Sequence, residues 1–230
     1  MKLIFILLGI LGTQSQLPLF LSDFWRSQNV SSGYFIYDEF SDKKAIFQLM
    51  KKGHGDSFLS CLDVKKMEGK NNWLPPKSTN LQLAVVVMLS NFSLGKFVDE
   101  NHRFFTSPKI TWLFHNFDAN LEPKLNLPIN SQFFTFIEVK NDTYIIEELY
   151  QIQTNMKIIR RQVGFWKDYE KFKIEENWVN RRLDLQGVQF KCTTEIDPPY
   201  ADFYVDNGLV QVSGYIGDAW NELKDIMNFS

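Results

Sequence analysis

The stretch Leu185 to Thr194 (LQGVQFKCTT) places Val188, Phe190 and Cys192 on one side of an extended chain and Gln189, Lys191 and Thr193 on the other. That period of two is the pattern of a half-buried strand, and it makes Cys192 a small buried hydrophobe. Pro198 and Pro199 end the strand, because neither has an N–H to give to a ladder. A polar connection, Ala201 to Ser213, is expected to follow. Beyond Gly214, the residues Ile216, Ala219, Trp220, Leu223, Ile226 and Met227 fall on one face of a helix. Asp218, Asn221, Glu222, Lys224 and Asp225 take the other face, with Asp218 near the N-terminus, where the helix dipole favours an anion. Trp220 is thereby assigned to the core.

Upstream, Leu83 to Leu89 (LAVVVML) reads as a buried strand. Tyr34 to Tyr37, Ile110 to Phe114 and Phe133 to Val139 are further strand-like runs, interspersed with helix-like stretches. A helix is expected over Asp42 to Lys52, with Ala45, Ile46, Leu49 and Met50 on one side. Trp73-Leu74-Pro75-Pro76 and the Asn91 to Pro108 region read as turn-rich connections. Mixed α/β is the resulting class. The charged run Lys167 to Arg182 has neither periodicity, so a boundary is placed there; a solvated surface helix is the competing reading.

Met1-Lys2, the apolar run Leu3 to Leu11 and the small or polar Gly12 to Gln16 read as a signal peptide cleaved after Ser15, against the alternative of a buried N-terminal strand. The sequons Asn29-Val30-Ser31, Asn91-Phe92-Ser93 and Asn141-Asp142-Thr143 are placed at loops or turns, as glycosylation in the secretory lumen requires. Asn141 is the best placed of them, at a hairpin tip between Phe133 to Val139 and Thr143 to Ile146. Asn228-Phe229-Ser230 is discounted because it ends the helix and the chain.

Apolar residues make up 44% of the 230, with 21 Phe, which is enough to bury a sizeable core. A net charge of -2 gives no basic footprint for nucleic acid. Cys61 and Cys192 are the only cysteines, so a disulfide framework or cysteine metal cluster is excluded by count; they are read as unpaired, with an inter-domain bridge as the alternative. His54, His102 and His115 are isolated, no nucleophile elbow or phosphate loop occurs, and Gly53-His54-Gly55-Asp56 reads as a turn ending the first helix. The expectation is a non-enzyme without metal or cofactor.

Arg181-Arg182, Leu185-Gln186-Gly187, Asp197-Pro198-Pro199-Tyr200 and Gly214-Tyr215-Ile216-Gly217-Asp218, in this order, resemble the start of the ligand-binding domain of ionotropic glutamate receptors. They are closer still to the insect chemosensory ionotropic receptors. Trp112-Leu113-Phe114, Thr143 to Tyr150 (TYIIEELY) and Gly164-Phe165-Trp166 are similar to the acid-sensing antennal branch of that group, which implies a degenerate form of the glutamate-receptor amino-terminal domain. The implied architecture is α/β: a signal peptide over 1–15, an extracellular mixed α/β domain over 16–166, a linker over 167–182, and over 183–230 the first strand and helix of a clamshell, periplasmic-binding-protein-like lobe.

The resemblance further implies a ligand-gated cation channel of olfaction on the outer face of the plasma membrane. It would bind small odorants such as organic acids and assemble with hetero-oligomeric co-receptor subunits. No run beyond the leader approaches the about eighteen apolar residues of a membrane span, so the pore is expected to lie past Ser230. Asp197 is implied to look into the ligand cleft and Tyr200 to form its wall. By the residues alone, Asp197 is equally a turn initiator before proline and Tyr200 a packing residue. The cation that would bind a ligand carboxylate has no counterpart here. A secreted soluble small-ligand-binding protein or decoy is the alternative from another class.

Overall fold

The computed structural model describes residues 17–28, 30, 32–38, 58–64, 83–139, 143–167, 170–174 and 178–230. The leader, the Asp42 to Lys52 helix, the Gly53 to Asp56 turn, the Trp73 to Pro76 connection, Asn29 and Asn141 lie outside these residues. The chain divides into two units between Glu175 and Glu176.

The first unit opens with α1 (Leu17–Ser27), then β1 (Ser32–Tyr37), β2 (Phe58–Asp63), β3 (Leu83–Met88), α2 (Asn91–Asn101), β4 (Ile110–His115), a 3-10 turn (Ala119–Lys124), β5 (Gln132–Val139), β6 (Thr143–Tyr150), β7 (Ile159–Lys167) and β8 (Glu170–Ile174). The strands form one mixed sheet in the order β2-β1-β3-β4-β5-β6-β7-β8. Its first five strands are parallel and the rest add antiparallel. The parallel part has the 2-1-3-4-5 order of a doubly wound sheet.

A parallel strand covered on both faces reads as an unbroken apolar run. β3 obeys this rule, with all six residues buried. On one face α1 lays Phe20, Leu21 and Phe24 against Phe35, Leu113, Phe136, Tyr144 and Trp166, with Phe20 stacked on Tyr144 at 4.6 Å between ring centroids. On the other, Leu94, Phe97 and Val98 of α2 meet Val85, Val87, Trp112 and Phe114, and Phe105 stands edge-on to Trp112 at 4.8 Å. Each fully buried aromatic or aliphatic side chain contributes about 1.5–3 kcal/mol.

Two expectations change in this unit. Asn91 to Pro108 is not a run of turns: its first part is α2, because Leu94, Phe97, Val98 and Asn101 recur at the spacing of one helical face and are buried. The span read as a linker, 167–182, contains β8, which finishes the sheet, and the units part just after it. The hairpin over Phe133 to Ile146 forms, with Val139 opposite Thr143.

The second unit contains α3 (Trp178–Arg181), β9 (Asp202–Asp206), β10 (Leu209–Ser213) and α4 (Gly214–Met227). The polar connection expected over Ala201 to Ser213 is instead an antiparallel hairpin with Asp206 opposite Leu209. Asn207 and Gly208 turn it with φ of 49° and 80°, the pair of positive values that a two-residue I′ turn requires.

The strand expected over Leu185 to Thr194 forms only at its start. Leu185 and Gly187 donate to the carbonyls of Met227 and Asn228, and Phe190 donates to Ser230, which donates in turn to Val188. An isolated parallel bridge, Val188 to Phe229, is the result. The partner is the short segment after α4, so from Lys191 to Ile196 the chain meets no ladder among the described residues and is exposed. Cys192, read as buried, is accordingly exposed.

α4 forms as its periodicity demands, but its apolar stripe is not in a core: Ile216 is 50% and Ile226 59% exposed. Trp220 is half-buried and packs edge-on against Phe229 at 4.9 Å. The residue of α4 that is buried is Gly217.

Candidate functional site

The Asp197 to Ala201 turn is a small hydrogen-bonded loop. Tyr200 and Ala201 donate to the carbonyl of Asp197, and Asp197 donates to that of Ala201. This loop hangs on the first turn of α4. Tyr215 donates to the carbonyl of Pro199 at 3.3 Å and Ile216 to that of Tyr200 at 2.9 Å, so loop carbonyls satisfy N–H groups that a helix start leaves orphaned. Ser213, at the N-cap, makes no side-chain cap of its own.

Two glycines permit the approach. A Cβ on Gly214, whose φ is +78°, would stand 2.6 Å from the Pro199 oxygen. One on Gly217 would stand 2.6 Å from the Val212 carbonyl. No real Cβ tolerates either distance, so both positions bring backbone against backbone.

Asp197 and Tyr200 are therefore brought together on one turn, and both are exposed. Neither side chain has a hydrogen-bond partner among the described residues. The Tyr200 and Tyr215 rings lie 6.1 Å apart. A turn that exposes one carboxylate and one phenol ring suits a hydroxyl or ammonium donor. It supplies no counter-charge for an acid.

A second position of interest is the β1/β3 switch point, where doubly wound sheets hold ligands at the carboxyl ends of their strands. Asp38 follows β1, is 2% exposed, and accepts from the Ser90 N–H at 2.8 Å and the Ser90 hydroxyl at 2.7 Å. Its carboxylate thus stands at the start of α2, in the place an anionic ligand would take. The protein has filled that site with its own side chain.

Asn91 is exposed, in the first turn of α2 rather than in a loop, beside the 90% exposed Phe92. Cys61 lies on β2, and its side chain is outside the described residues. The His115 ring lies tilted against that of Phe136, 4.9 Å between centroids, and burial lowers its pKa. Among the described residues no cluster of His, Cys, Asp or Glu is arranged to hold a metal, and no helix is long and apolar enough to cross a membrane.

The sequence singled out Asp197 and Tyr200 but not the contacts that hold them. In the sequence Gly214 and Gly217 stand out only as part of the Gly214 to Asp218 motif. Their function is spatial and has no signature in local periodicity. No family model matches the chain, and no curated protein matches it.

Proposed function

We propose that this chain is the extracellular N-terminal portion of a ligand-gated cation channel of the chemosensory ionotropic receptor type, with small odorants such as organic acids as its ligands. The observation that carries this reading is the Asp197 to Ala201 turn hydrogen-bonded to the first turn of α4, which gives the resembling motifs Asp197-Pro198-Pro199-Tyr200 and Gly214 to Asp218 one shared purpose. The hairpin-then-helix order around it and the exposed apolar stripe of α4 support a piece of a larger lobe, because a stripe of that kind ordinarily packs on further elements. The 2-1-3-4-5 order of the first unit supports an amino-terminal domain of doubly wound descent.

On this reading Asp197 accepts from a hydroxyl or amine of the ligand and Tyr200 packs on its body. The carboxylate of an acidic ligand is met by a cation on a segment that closes over the turn. Closure shifts the population of a clamshell and so the pore. Channel subunits of the same family are the partners. The deciding experiment is to sequence the transcript past the Ser230 codon in its source tissue. Apolar spans followed by a second lobe segment are expected; an immediate in-frame stop overturns the channel reading and leaves a secreted small-ligand-binding protein.

A further inference from the structure

We propose that Asn207 is a covalent modification site, at which the chain converts its own carboxamide through a cyclic imide to isoaspartate and thereby unfastens the β9–β10 hairpin. Asn207-Gly208 is the one Asn-Gly pair in the sequence, and it forms the tip of that hairpin, between Asp206 and Leu209. The inference concerns the second unit alone and stands whether or not the chain continues into a channel.

The nucleophile is the Gly208 amide nitrogen. Gly208 has no side chain to screen it, and a Cβ built there would meet nothing within 4 Å. Both residues of the pair are exposed, and the Asn207 carboxamide makes no hydrogen bond among the described residues. The backbone is already close to the reacting shape. Asn207 has a φ of 49°, which suits the first central residue of a I′ or a II′ turn alike. Closing a five-membered ring on the Gly208 nitrogen brings it to the Cβ side of the Asn207 Cα–C bond, at a ψ of roughly -120°, the II′ value. A flip of the Asn207-Gly208 peptide from I′ to II′ therefore reaches the reacting conformer, and Gly208 accepts either sign of φ as it turns. Both turns join two strands through two residues, so the flip leaves the ladder in register. The hairpin is a sheet of two strands with every residue of β9 exposed, and a pair of strands by itself holds its tip weakly.

The reaction needs no partner but water. The Gly208 nitrogen bonds to Cγ of Asn207, the Cγ–Nδ2 bond breaks, and the side-chain nitrogen leaves as ammonia with the proton the Gly208 nitrogen gives up. Water then opens the imide. Breaking the bond from the nitrogen to Cγ leaves aspartate; breaking the bond from the nitrogen to the main-chain carbonyl leaves isoaspartate, with the main chain rerouted through Cβ and Cγ. The sum is an amide and water giving an acid and ammonia, with nothing oxidised or reduced. The isoaspartate main chain is longer by a carbon, and a two-residue turn has no slack to absorb it, so Asp206 and Leu209 lose their register. The freed carboxylate also adds a negative charge next to Asp206, where like charges repel.

The test incubates the whole chain in mildly alkaline buffer and follows each asparagine by peptide mass spectrometry, with an isoaspartyl methyltransferase to label isoaspartate. Asn207 is expected to convert several-fold faster than Asn221, which is exposed on α4, and to give isoaspartate together with aspartate. Conversion no faster than at Asn221 overturns the site. Aspartate without isoaspartate overturns it as well, because direct hydrolysis of the side chain bypasses the ring. The converted chain, separated by its added charge on an ion-exchange column, should lose amide-exchange protection along β9 and β10. Freshly prepared Asn207→Asp adds the charge with the main chain unchanged and should keep that protection. A converted chain as protected as the parent, or an Asn207→Asp chain as unprotected as the converted one, overturns the opening by a lengthened main chain.

Discussion

Trp166 donates its indole N–H to the Asp23 carboxylate at 2.9 Å, joining β7 to α1 across 143 residues of sequence. The bond lies at the edge of the layer in which Phe20 touches Phe136, Tyr144 and Trp166. α1 is therefore core, although it follows directly on the segment read as a leader, and any processing must leave Leu17 onward in place. Phe20→Ala is expected to cost about 3–5 kcal/mol. Trp166→Phe should cost about 1 kcal/mol, because Asp23 keeps access to water. Urea unfolding of the whole chain measures both; a Phe20→Ala cost near that of Trp166→Phe would show that α1 is not integrated.

What the sequence made legible follows from what each element packs against. β3 was readable because a sheet covered on both faces asks for nothing but apolar residues, and α4 because its apolar residues keep a strict helical spacing. α2 was obscured by Gly95 and the flanking asparagines, although Leu94, Phe97, Val98 and Asn101 carried its period. The hairpin over β9 and β10 had a strong local signal in Asn207-Gly208, overridden by the polar look of its flanks. The pattern from Val188 to Cys192 was sound as a pattern, but a strand needs a neighbour, and Met227 to Ser230 reach only to Phe190.

Gly208, Gly214 and Gly217 of the second unit should rank by their surroundings. Gly208 has a φ of +80° and open space around it, so Gly208→Ala should cost only the left-handed penalty of about 1–2 kcal/mol. Gly214→Ala adds a clash with the Pro199 oxygen to the same penalty, and Gly217→Ala meets the Val212 carbonyl. Both should free the Ile216 N–H from the Tyr200 carbonyl. Amide hydrogen exchange at Ile216 reads this directly: acceleration is expected for Gly214→Ala and Gly217→Ala, and little change for Gly208→Ala.

Arg160 sits between Glu122 and Glu147, and although burial opposes its charge, the hydrogen bonds and charges of the two carboxylates raise its pKa. Arg160→Met should destabilise the first unit by about 1 kcal/mol, the value of a partly solvated pair with good geometry. The loss should shrink in high salt and shrink again when Glu122→Gln is already present. A double-mutant cycle in urea, run at low and high salt, tests the coupling; additivity at both would mean the clamp holds nothing.

Burial lowers the pKa of His115 below its ordinary 6.5. Above that pH the ring is neutral in both folded and unfolded chains and has no effect on stability. As the pH falls below about 6.5, the unfolded chain takes up the proton first, so stability declines until the folded-state value is passed. Urea midpoints compared at pH 7.5 and 5.5 should fall less for His115→Gln than for the parent chain. Equal falls would assign the acid sensitivity to other groups.

The apolar stripe of α4 calls for the last measurement. Ile216, Leu223 and Ile226 are each about half exposed on one face of a helix, and exposed faces of this kind are contact surfaces or sources of aggregation. α4 does not need the stripe to form, since its close approach is made by Gly217 against β10 and its end is fixed by Asn228, which donates to Asp184 at 2.8 Å. Leu223→Lys together with Ile226→Lys should therefore leave the helix intact. The parent chain is expected to associate with rising concentration in sedimentation velocity and to bind an apolar dye, and the double variant should do neither while keeping its circular dichroism. A parent chain that stays monomeric and dye-free at every concentration would mean that the stripe is satisfied within the protein, and the support it lends to a larger lobe would be withdrawn.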